Sequence, residues 1–329
     1  MDRVILENLD VTSYEHPFDK KALDALKKTP GLPVLIETVR KYSFDKIQKV
    51  IHTGSYLQVG PKQFPRIYEM YTEACRILDF KTVPKLYVAQ AYEINAYATC
   101  YAEPIVLLFS GCLDALSDDE LMFVLGHELG HIKSKHLLYN DLALLISYFG
   151  TLIGEMTLGI GGIVSRGLEL ALLYWARMSE LTCDRAGLLT VQDFRVSISA
   201  IAKMAGAPRK YLDEINVDAF LEQARDFEGF DFDTLDKIAK VLSVMQRRHP
   251  WTVMRASELD KWYQSGGYYN TLHNPSGPKE TKKYADAGTT GNTSGGLNGM
   301  SGTVSCPECG SIFADEARFC ATCGHKLRE

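Results

Sequence analysis

The stretch that decides the fold is Ser-Asp-Asp-Glu-Leu-Met-Phe-Val-Leu-Gly-His-Glu-Leu-Gly-His-Ile-Lys, residues 117–133. Residues four apart lie on one face of a helix, one turn above each other, so His127 and His131 are able to share a metal ion. Glu128 lies one step around the helix, where a carboxylate can take a proton from water bound at zinc. The segment therefore predicts a hydrolytic zinc site with Glu128 as its base.

The same segment carries the signals of a well-defined helix. Ser117 and Glu120 form a capping-box pattern, and acidic residues fill the first turn, where the helix dipole favours them. An apolar stripe follows at helical spacing, made of Leu121, Met122, Leu125, Leu129 and Ile132. Gly126 and Gly130 stand mid-helix, at a cost of about 1 kcal/mol each relative to alanine. They indicate close packing of another element, space kept free beside the metal, or both.

Length and composition are those of an ordinary globular protein. The 329 residues suffice for one large domain or two smaller ones. The net charge of −5 comes from mixed signs and gives no case for broad nucleic-acid binding. The N-terminal residues are too acidic, and too short in apolar length, for a secretory signal.

The eight cysteines divide into two groups. Four are scattered through apolar stretches and are expected to be buried, reduced thiols: Cys75, Cys100, Cys112 and Cys183. The other four cluster near the C-terminus: Cys306, Cys309, Cys320 and Cys323. This division fits a reducing cytoplasm and a metal site rather than a disulfide framework.

The C-terminal cysteines have the pattern of a zinc ribbon. Cys306 and Cys309 form one CxxC knuckle, Cys320 and Cys323 form another, and a glycine after each permits the turn. We predict one structural zinc ion held by the four thiolates. A redox pair is the weaker alternative, because it does not explain two matched knuckles. No basic stripe or aromatic platform accompanies them, so nucleic acid is not an expected partner and a protein-interaction or regulatory module is favoured.

Residues 142–164 form an apolar run close to the length of a membrane span. Glu155, its one charged residue, would lie near mid-bilayer, where a carboxylate is costly, and glycines break the run into pieces. Two short helices, buried against the catalytic domain or lying on a membrane surface, explain the run with less strain. A true span is the alternative.

The remaining pattern predicts a mostly helical α+β fold with a small sheet. Helices are expected at residues 19–28, 35–51 and 65–78, and strands at 85–88, 94–98 and 105–109. After the zinc-motif helix, the pattern from residue 165 to 263 is almost wholly helical.

Three units follow from this pattern. Residues 1–265 are predicted to form the catalytic domain. Residues 266–304, ending in a stretch rich in Gly, Thr, Ser and Asn, predict a flexible linker. Residues 305–329 form the ribbon.

A hydrolytic zinc site needs three protein ligands and one open position for water. Residues 175–187 offer Glu180, with Asp184 one helical turn later on the same face. Glu180 is a candidate ligand, and Asp184 a candidate acceptor for the second imidazole proton of a histidine ligand. The alternative is a solvent-facing acidic pair balanced by Arg177 and Arg185, and spacing alone does not decide between the two.

The ordered set of motifs resembles the M48 metallopeptidases, the family of the bacterial heat-shock protease HtpX and the CAAX prenyl proteases. Asn95-Ala96 on an edge-like strand precedes an apolar strand, the His127–His131 motif follows, and Glu180 comes next with Asp184. The similarity covers roughly residues 19–262. It implies a gluzincin-type metallopeptidase domain, in which Glu180, from the second helix, is the third zinc ligand.

The resemblance also implies roles beyond the three ligands. His249-Pro250 resembles the late histidine-proline segment of the family, which implies that His249 helps to stabilise the oxyanion. Asn95 and Ala96 are implied to contact the substrate backbone. On sequence alone, the alternative for His249 is a helix-terminal histidine before a proline. The spacing of His136 from His131 does not suit the same metal, so we expect His136 on the surface or behind a ligand.

The sequence departs from HtpX and the CAAX prenyl proteases in one respect. Those proteins carry several clear spans, whereas this chain shows none at its N-terminus and looks closer to soluble-type members. Membrane-protein substrates and prenylated peptides are therefore not assumed.

The expected function is a zinc-dependent endopeptidase of unfolded or damaged proteins. Glu128 takes the proton of the attacking water and passes it to the leaving amine. Residues 94–98 hold the substrate as an added β-strand, a mode that favours extended peptides. We expect the protein in the cytoplasm, with residues 142–164 available for membrane association. The alternative is a metal-stabilised, chaperone-like or scaffold protein whose ribbon recruits partners, although such a protein has no need of Glu128.

Overall fold

The computed structural model describes residues 3–29, 31–33, 36–37, 44–100, 102–143, 160–206, 208–229, 250–277, 303–305 and 312–314. Its helices are α1 (Pro17–Lys27), α2 (Phe44–Ser55), α3 (Pro65–Ile77), α4 (Ser110–Ala115), α5 (Asp118–Lys133), α6 (Ile160–Val191), α7 (Phe194–Met204), α8 (Val217–Gly229), α9 (Thr252–Gln264) and α10 (Gly267–His273). Short 3-10 turns cover Val11–Ser13 and Arg209–Glu214. The strands are β1 (Leu57–Gln58), β2 (Lys85–Ala89), β3 (Ala96–Thr99), β4 (Ile105–Phe109), β5 (Thr303–Ser305) and β6 (Ile312–Ala314).

The predicted fold class, a mostly helical α+β domain with a small sheet, is confirmed. The sheet has the strand order β1-β2-β4-β3, with β2 parallel to β4 and the two outer strands antiparallel to their neighbours. One face of the sheet packs on α5, where Val106 and Leu108 share a core with Leu121 and Leu125. Within the described residues β3 pairs only with β4, so its other edge is open.

Helix α5 is the central helix of the domain. It begins as predicted, because the Ser117 hydroxyl accepts the Glu120 N–H and the Glu120 carboxylate accepts the Ser117 N–H. Every residue from Glu120 to His131 is buried, so the helix is covered on all sides. The motif histidines therefore sit in the interior.

Close contact between α5 and α6 explains the mid-helix glycines. A Cβ atom at Gly126 would collide with the buried side chain of Thr190. A Cβ atom at Gly130 would stand 2.8 Å from the Cβ of Ala186, too close for two carbon atoms. Tight helix packing is thus the structural reason for both glycines.

We expect Gly126→Ala to destabilise the fold by about 1–3 kcal/mol through overpacking, although alanine is the better helix former. Urea unfolding measures this change. Gly167→Ala on α6 is the matched control, because a Cβ there meets nothing within 4 Å. That control is expected to be neutral or slightly stabilising. A Gly126→Ala protein as stable as the unchanged chain would contradict the tight contact with Thr190.

The structure differs from the sequence prediction at the start of the linker, which was placed at residues 266–304. Helix α10 lies within that range, and Tyr268 and Thr271 on it are buried. The Thr271 hydroxyl donates to the Ser13 carbonyl oxygen at 2.8 Å. An aromatic and a buried hydroxyl anchor this segment, whereas the Gly-rich composition that predicts flexibility begins further along the chain. The linker start was therefore predicted too early.

Two further predictions fall partly or wholly beyond the described residues. Residues 144–159 of the apolar run lie outside them, while residues 160–164 begin α6. None of the described helices combines the length and apolarity that crossing a membrane requires.

The predicted helix at 35–51 is described as α2 from Phe44, and the predicted strand at 94–98 is β3, at Ala96–Thr99.

Candidate metal centre

The motif histidines of α5 face a carboxylate on α6. The Nε2 atom of His127 lies 3.4 Å from Oε2 of Glu180, and Nε2 of His131 lies 3.2 Å from Oε1 of the same residue. All three side chains are buried. The solvent-facing alternative for Glu180 and Asp184 is therefore wrong, because the contact between α5 and α6 buries that face of α6.

The spacing of Glu180 from each histidine is compatible with a shared zinc ion. Nitrogen and oxygen ligands about 2.1 Å from zinc stand about 3.4 Å apart at tetrahedral angles. The two nitrogen–oxygen distances, 3.4 and 3.2 Å, match that spacing. Burial alone would lower the pKa of His127, but hydrogen bonds to Asp184 and Glu180 raise this pKa to about 9. The same carboxylates would attract a divalent cation.

Cys183 is a second candidate for the third ligand. Its sulfur can form a metal-binding group with His127 and His131, with the ligand atoms within 4.8 Å of one another. However, burial raises the pKa of its thiol well above the ordinary value, and Sγ lies 3.6 Å from Nδ1 of His136. Glu180 is the better candidate, because its two oxygens each approach the Nε2 atom of one histidine.

Asp184 and Arg255 orient His127. Oδ1 of Asp184 lies 3.0 Å from Nδ1 of His127, as expected for a carboxylate that accepts the second imidazole proton. Arg255 donates to both Asp184 oxygens, from Nε at 2.9 Å and from Nη2 at 2.6 Å. Burial opposes ionisation of Asp184, but Arg255 and His127 lower its pKa below the usual value. Asp184 is therefore a fixed carboxylate behind His127.

Glu128 lines a cleft of about 450 Å³ between α5, α6 and β3. His131 and Glu180 line the same cleft, and so do the apolar residues Ala143, Leu173 and Ala176. Asn95 and the whole of β3 also line the cleft. The structure thus brings together Glu128, two of the three predicted metal ligands and the strand that was predicted to contact the substrate.

The open edge of β3 presents main-chain groups to this cleft. The Phe109 N–H donates to the Asn95 carbonyl oxygen at 3.1 Å, so Asn95 is paired with β4. Orientation alternates along an antiparallel ladder, so Ala96 and Ala98 turn their N–H and C=O groups to the open edge. The Ala96 N–H donates to the side-chain oxygen of Asn95 at 2.9 Å.

Several predicted site residues lie outside the described residues. His249 is one of them; the described chain resumes at Pro250, just before α9. The four tail cysteines, Cys306, Cys309, Cys320 and Cys323, are also outside, although β5 and β6 form an antiparallel pair around the first knuckle. The other four cysteines are free, buried thiols as predicted.

Sequence reasoning missed the part played by Arg255. The sequence pattern assigned it no role in the site. A signal was present, because Arg255 precedes Ala256 and lies one turn before Leu259, two buried positions on the same helix. His136, which spacing left on the surface or behind a ligand, is buried.

Comparison with known proteins gives consistent matches. Residues 61–263 match peptidase family M48, and residues 302–327 match a zinc-ribbon domain. Plastoglobule-localized metallopeptidase 48, a chloroplastic protein of Arabidopsis thaliana, is 34% identical over 272 residues, which are 82% of this chain and 77% of that protein.

Archaeal relatives are more distant. The protease HtpX homolog 2 of Methanosarcina mazei is 26% identical over 238 residues, 64% of this chain and 77% of that protein. The protease HtpX homolog 2 of Methanosarcina acetivorans is 28% identical over 178 residues, 47% of this chain and 59% of the relative. No solved structure matches the chain significantly.

Proposed function

The chain belongs to peptidase family M48, and we propose that this metalloprotease cleaves unfolded or damaged proteins as a zinc-dependent endopeptidase. The observation that carries the proposal is the shared cleft, which Glu128, His131 and Glu180 line together with the open-edged strand β3. Together these features supply a base, a metal site and a place for an extended chain.

His127, His131 and Glu180 are the proposed ligands of the catalytic zinc. When bound there, zinc would polarise the peptide carbonyl and lower the pKa of a water molecule. Glu128 accepts the proton of the attacking water and delivers it to the nitrogen of the leaving amine. Asp184 keeps the proton of His127 on Nδ1, so that Nε2 is free to bind the metal. For His249 we propose stabilisation of the oxyanion.

Main-chain hydrogen bonds at β3 are the proposed basis of substrate selection. Ala98 offers its N–H and C=O groups to an added strand, and Ala96 offers its C=O group, since its N–H is bonded to the Asn95 side chain. Asn95 lies beside them to contact the substrate backbone. Such bonds need an extended segment and read little of its side chains. Folded proteins rarely offer one, which supports unfolded chains as the substrate class.

Ala98→Pro is expected to lower kcat/KM on an unfolded protein by about 10- to 100-fold, because it removes one N–H from the open edge while proline is tolerated on edge strands. Ala98→Ser keeps the N–H and is the matched control, expected to leave kcat/KM nearly unchanged. Initial rates on unfolded casein measure both. Wild-type turnover by a folded, zinc-loaded Ala98→Pro protein would argue against recognition through this edge.

A cleavage assay tests the substrate class itself. We expect the protein to cut an unfolded chain, to stop when 1,10-phenanthroline removes zinc, and to resume when zinc is restored. The same chain in its folded, disulfide-intact form should resist. Equal cleavage of both forms would contradict the preference for unfolded substrates. Binding of the unfolded chain without cleavage would favour the chaperone-like or scaffold alternative.

The second proposed zinc ion is structural and is held by Cys306, Cys309, Cys320 and Cys323. The zinc-ribbon match over residues 302–327 supports this, and the ribbon is too small to fold without its metal. We propose that the ribbon binds a protein partner and is joined to the catalytic domain by a flexible linker that begins after α10.

Deleting residues 302–329 tests the independence of the ribbon. The deletion should lower the zinc content from two ions to one per chain and leave hydrolysis of a short peptide intact. A loss confined to protein substrates would support a recruiting role for the ribbon. Loss of short-peptide hydrolysis would contradict independence and would mean that the ribbon helps to form the catalytic site.

For location we propose the cytoplasm, with association of residues 142–164 with a lipid surface. The apolar composition of that segment supports the proposal, as does the plastoglobule localisation in the name of the Arabidopsis thaliana relative. Co-flotation with phospholipid vesicles measures this association. Polar substitutions in residues 142–164 are expected to abolish the flotation.

A further inference from the structure

A chain of three buried side chains runs from His131 to the N-terminal helix. Nδ1 of His131, the nitrogen away from Glu180, lies 3.3 Å from Nδ1 of His136. Nε2 of His136 then lies 3.2 Å from Oδ2 of Asp19, on α1. His136 is 2% exposed and Asp19 1%, so water does not substitute for these contacts.

The directions of the two hydrogen bonds follow from the way in which His131 binds the metal. This assignment of protons rests on the proposed function, in which His131 binds zinc through Nε2. A neutral imidazole that binds metal through Nε2 carries its proton on Nδ1, so His131 donates to Nδ1 of His136. Because that nitrogen of His136 accepts, its own proton is on Nε2, which donates to Asp19. The three groups therefore have one consistent arrangement of protons.

Asp19 is held firmly enough to end such a chain. Nε1 of Trp175 donates to Oδ1 at 3.0 Å, and the hydroxyl of Thr182 donates to Oδ2 at 2.6 Å. Both donors belong to α6, the helix that carries Glu180. The carboxylate thus accepts a hydrogen bond at each of its two oxygens and can act only as an acceptor towards His136.

We propose that Asp19 and His136 are positioning residues for His131, fixing the tautomer and ring orientation in which its Nε2 binds zinc. Asp184 does the same for His127 directly, whereas Asp19 acts through an intervening imidazole. Groups of this kind behind a metal ligand raise metal affinity by about 10- to 100-fold. Asp19 lies outside residues 61–263, the part that matches peptidase family M48, so α1 becomes a component of the metal site.

Asp19→Asn tests the arrangement with almost no change of shape. Trp175 continues to need an acceptor at Oδ1, so the amide NH2 takes the place of Oδ2 and faces His136. His136 must then accept at Nε2 and carry its proton on Nδ1, where it meets the Nδ1 proton of His131. In the variant, two N–H donors therefore face each other between His131 and His136. Asp24→Asn, an exposed change on the same helix, is the matched control.

The measurement is the zinc dissociation constant of the full chain by competition with a chelator. The zinc ion proposed for His127, His131 and Glu180 is called the core ion. Comparison of the unchanged protein with His131→Ala identifies it, because only that ion depends on His131. Asp19→Asn is expected to raise the Kd of the core ion about 10- to 100-fold, and Asp24→Asn to leave it unchanged. Saturating zinc should restore most of the hydrolysis by Asp19→Asn.

His136→Leu supplies a second, independent variant in case Asp19→Asn folds poorly. It removes the acceptor for His131 and should raise the Kd by a similar factor. The double variant should bind zinc no more weakly than His136→Leu, because Asp19 reaches His131 only through His136. A merely structural role of Asp19 would lower stability in the metal-free protein and leave the zinc Kd unchanged.

The outcomes separate this inference from the proposed function. An unchanged Kd in Asp19→Asn and His136→Leu, with the core ion lost in His131→Ala, would overturn the inference and leave the catalytic ligands in place. The inference would also be overturned if the Kd of the double variant rose by the product of the two single increases. Retention of both zinc ions by His131→Ala would instead refute the proposed ligand set.

Discussion

Glu128→Gln is expected to lose roughly 10²- to 10⁴-fold in kcat while keeping the core zinc ion. Glutamine has nearly the same shape as glutamate, but its amide does not accept the proton of the attacking water. Glu128 lines the cleft beside His131 and Glu180 and is not one of the proposed ligands, so the metal site should survive the change. Steady-state kinetics on a peptide, together with metal analysis of the same sample, measure both effects.

Asp118→Asn is the control for this experiment. It makes the same chemical change on the same helix, at an exposed ion pair with Arg66 that contributes little to stability. Its kcat should equal that of the unchanged protein. Near-normal turnover by a clean, zinc-loaded Glu128→Gln preparation would remove Glu128 from the proposed mechanism.

Glu180→Ala should cost the protein its core zinc ion, and with it the hydrolysis of peptides. Two imidazoles alone hold zinc poorly, and the substitution removes the oxygens that face the Nε2 atoms of His127 and His131. We expect the purified full chain to retain one zinc ion, in the ribbon, in place of two. Metal analysis after dialysis measures the count, and circular dichroism checks that the fold is retained.

Cys183→Ser is the sharpest control, because Cys183 is the other candidate for the third ligand. With Glu180 as the ligand, Cys183→Ser should keep both zinc ions and its activity. The reverse pattern, in which Cys183→Ser loses the core ion and Glu180→Ala keeps it, would identify the Cys183 thiolate as the third zinc ligand.

Local signals explain what could be predicted from the sequence. The capping box at Ser117 and the apolar stripe after it define α5, and both depend on residues within a few positions of one another. The strand at residues 105–109 was predicted with the observed limits, because it is a continuous apolar run bounded by turn signals.

Long-range contacts explain what could not be predicted. Helical spacing places Glu180 and Asp184 on one face, but it does not say whether that face meets solvent or α5. The pairing of Asp184 with Arg255 joins residues 71 positions apart, and the bond from Trp175 to Asp19 joins residues 156 apart. No pattern within a single helix contains such information. It appears only when α1, α6 and α9 are assembled around α5.

The guanidinium of Arg255 has a consequence for the charge balance of the interior. It pairs with the carboxylate of Asp184 and lies 4.0 Å from that of Glu180, and all three groups are buried. When no metal is bound, a proton on His127, whose pKa is raised to about 9, offsets part of the carboxylate charge. A divalent ion would take the place of that proton, so zinc binding is expected to release protons and to contribute to the folding equilibrium.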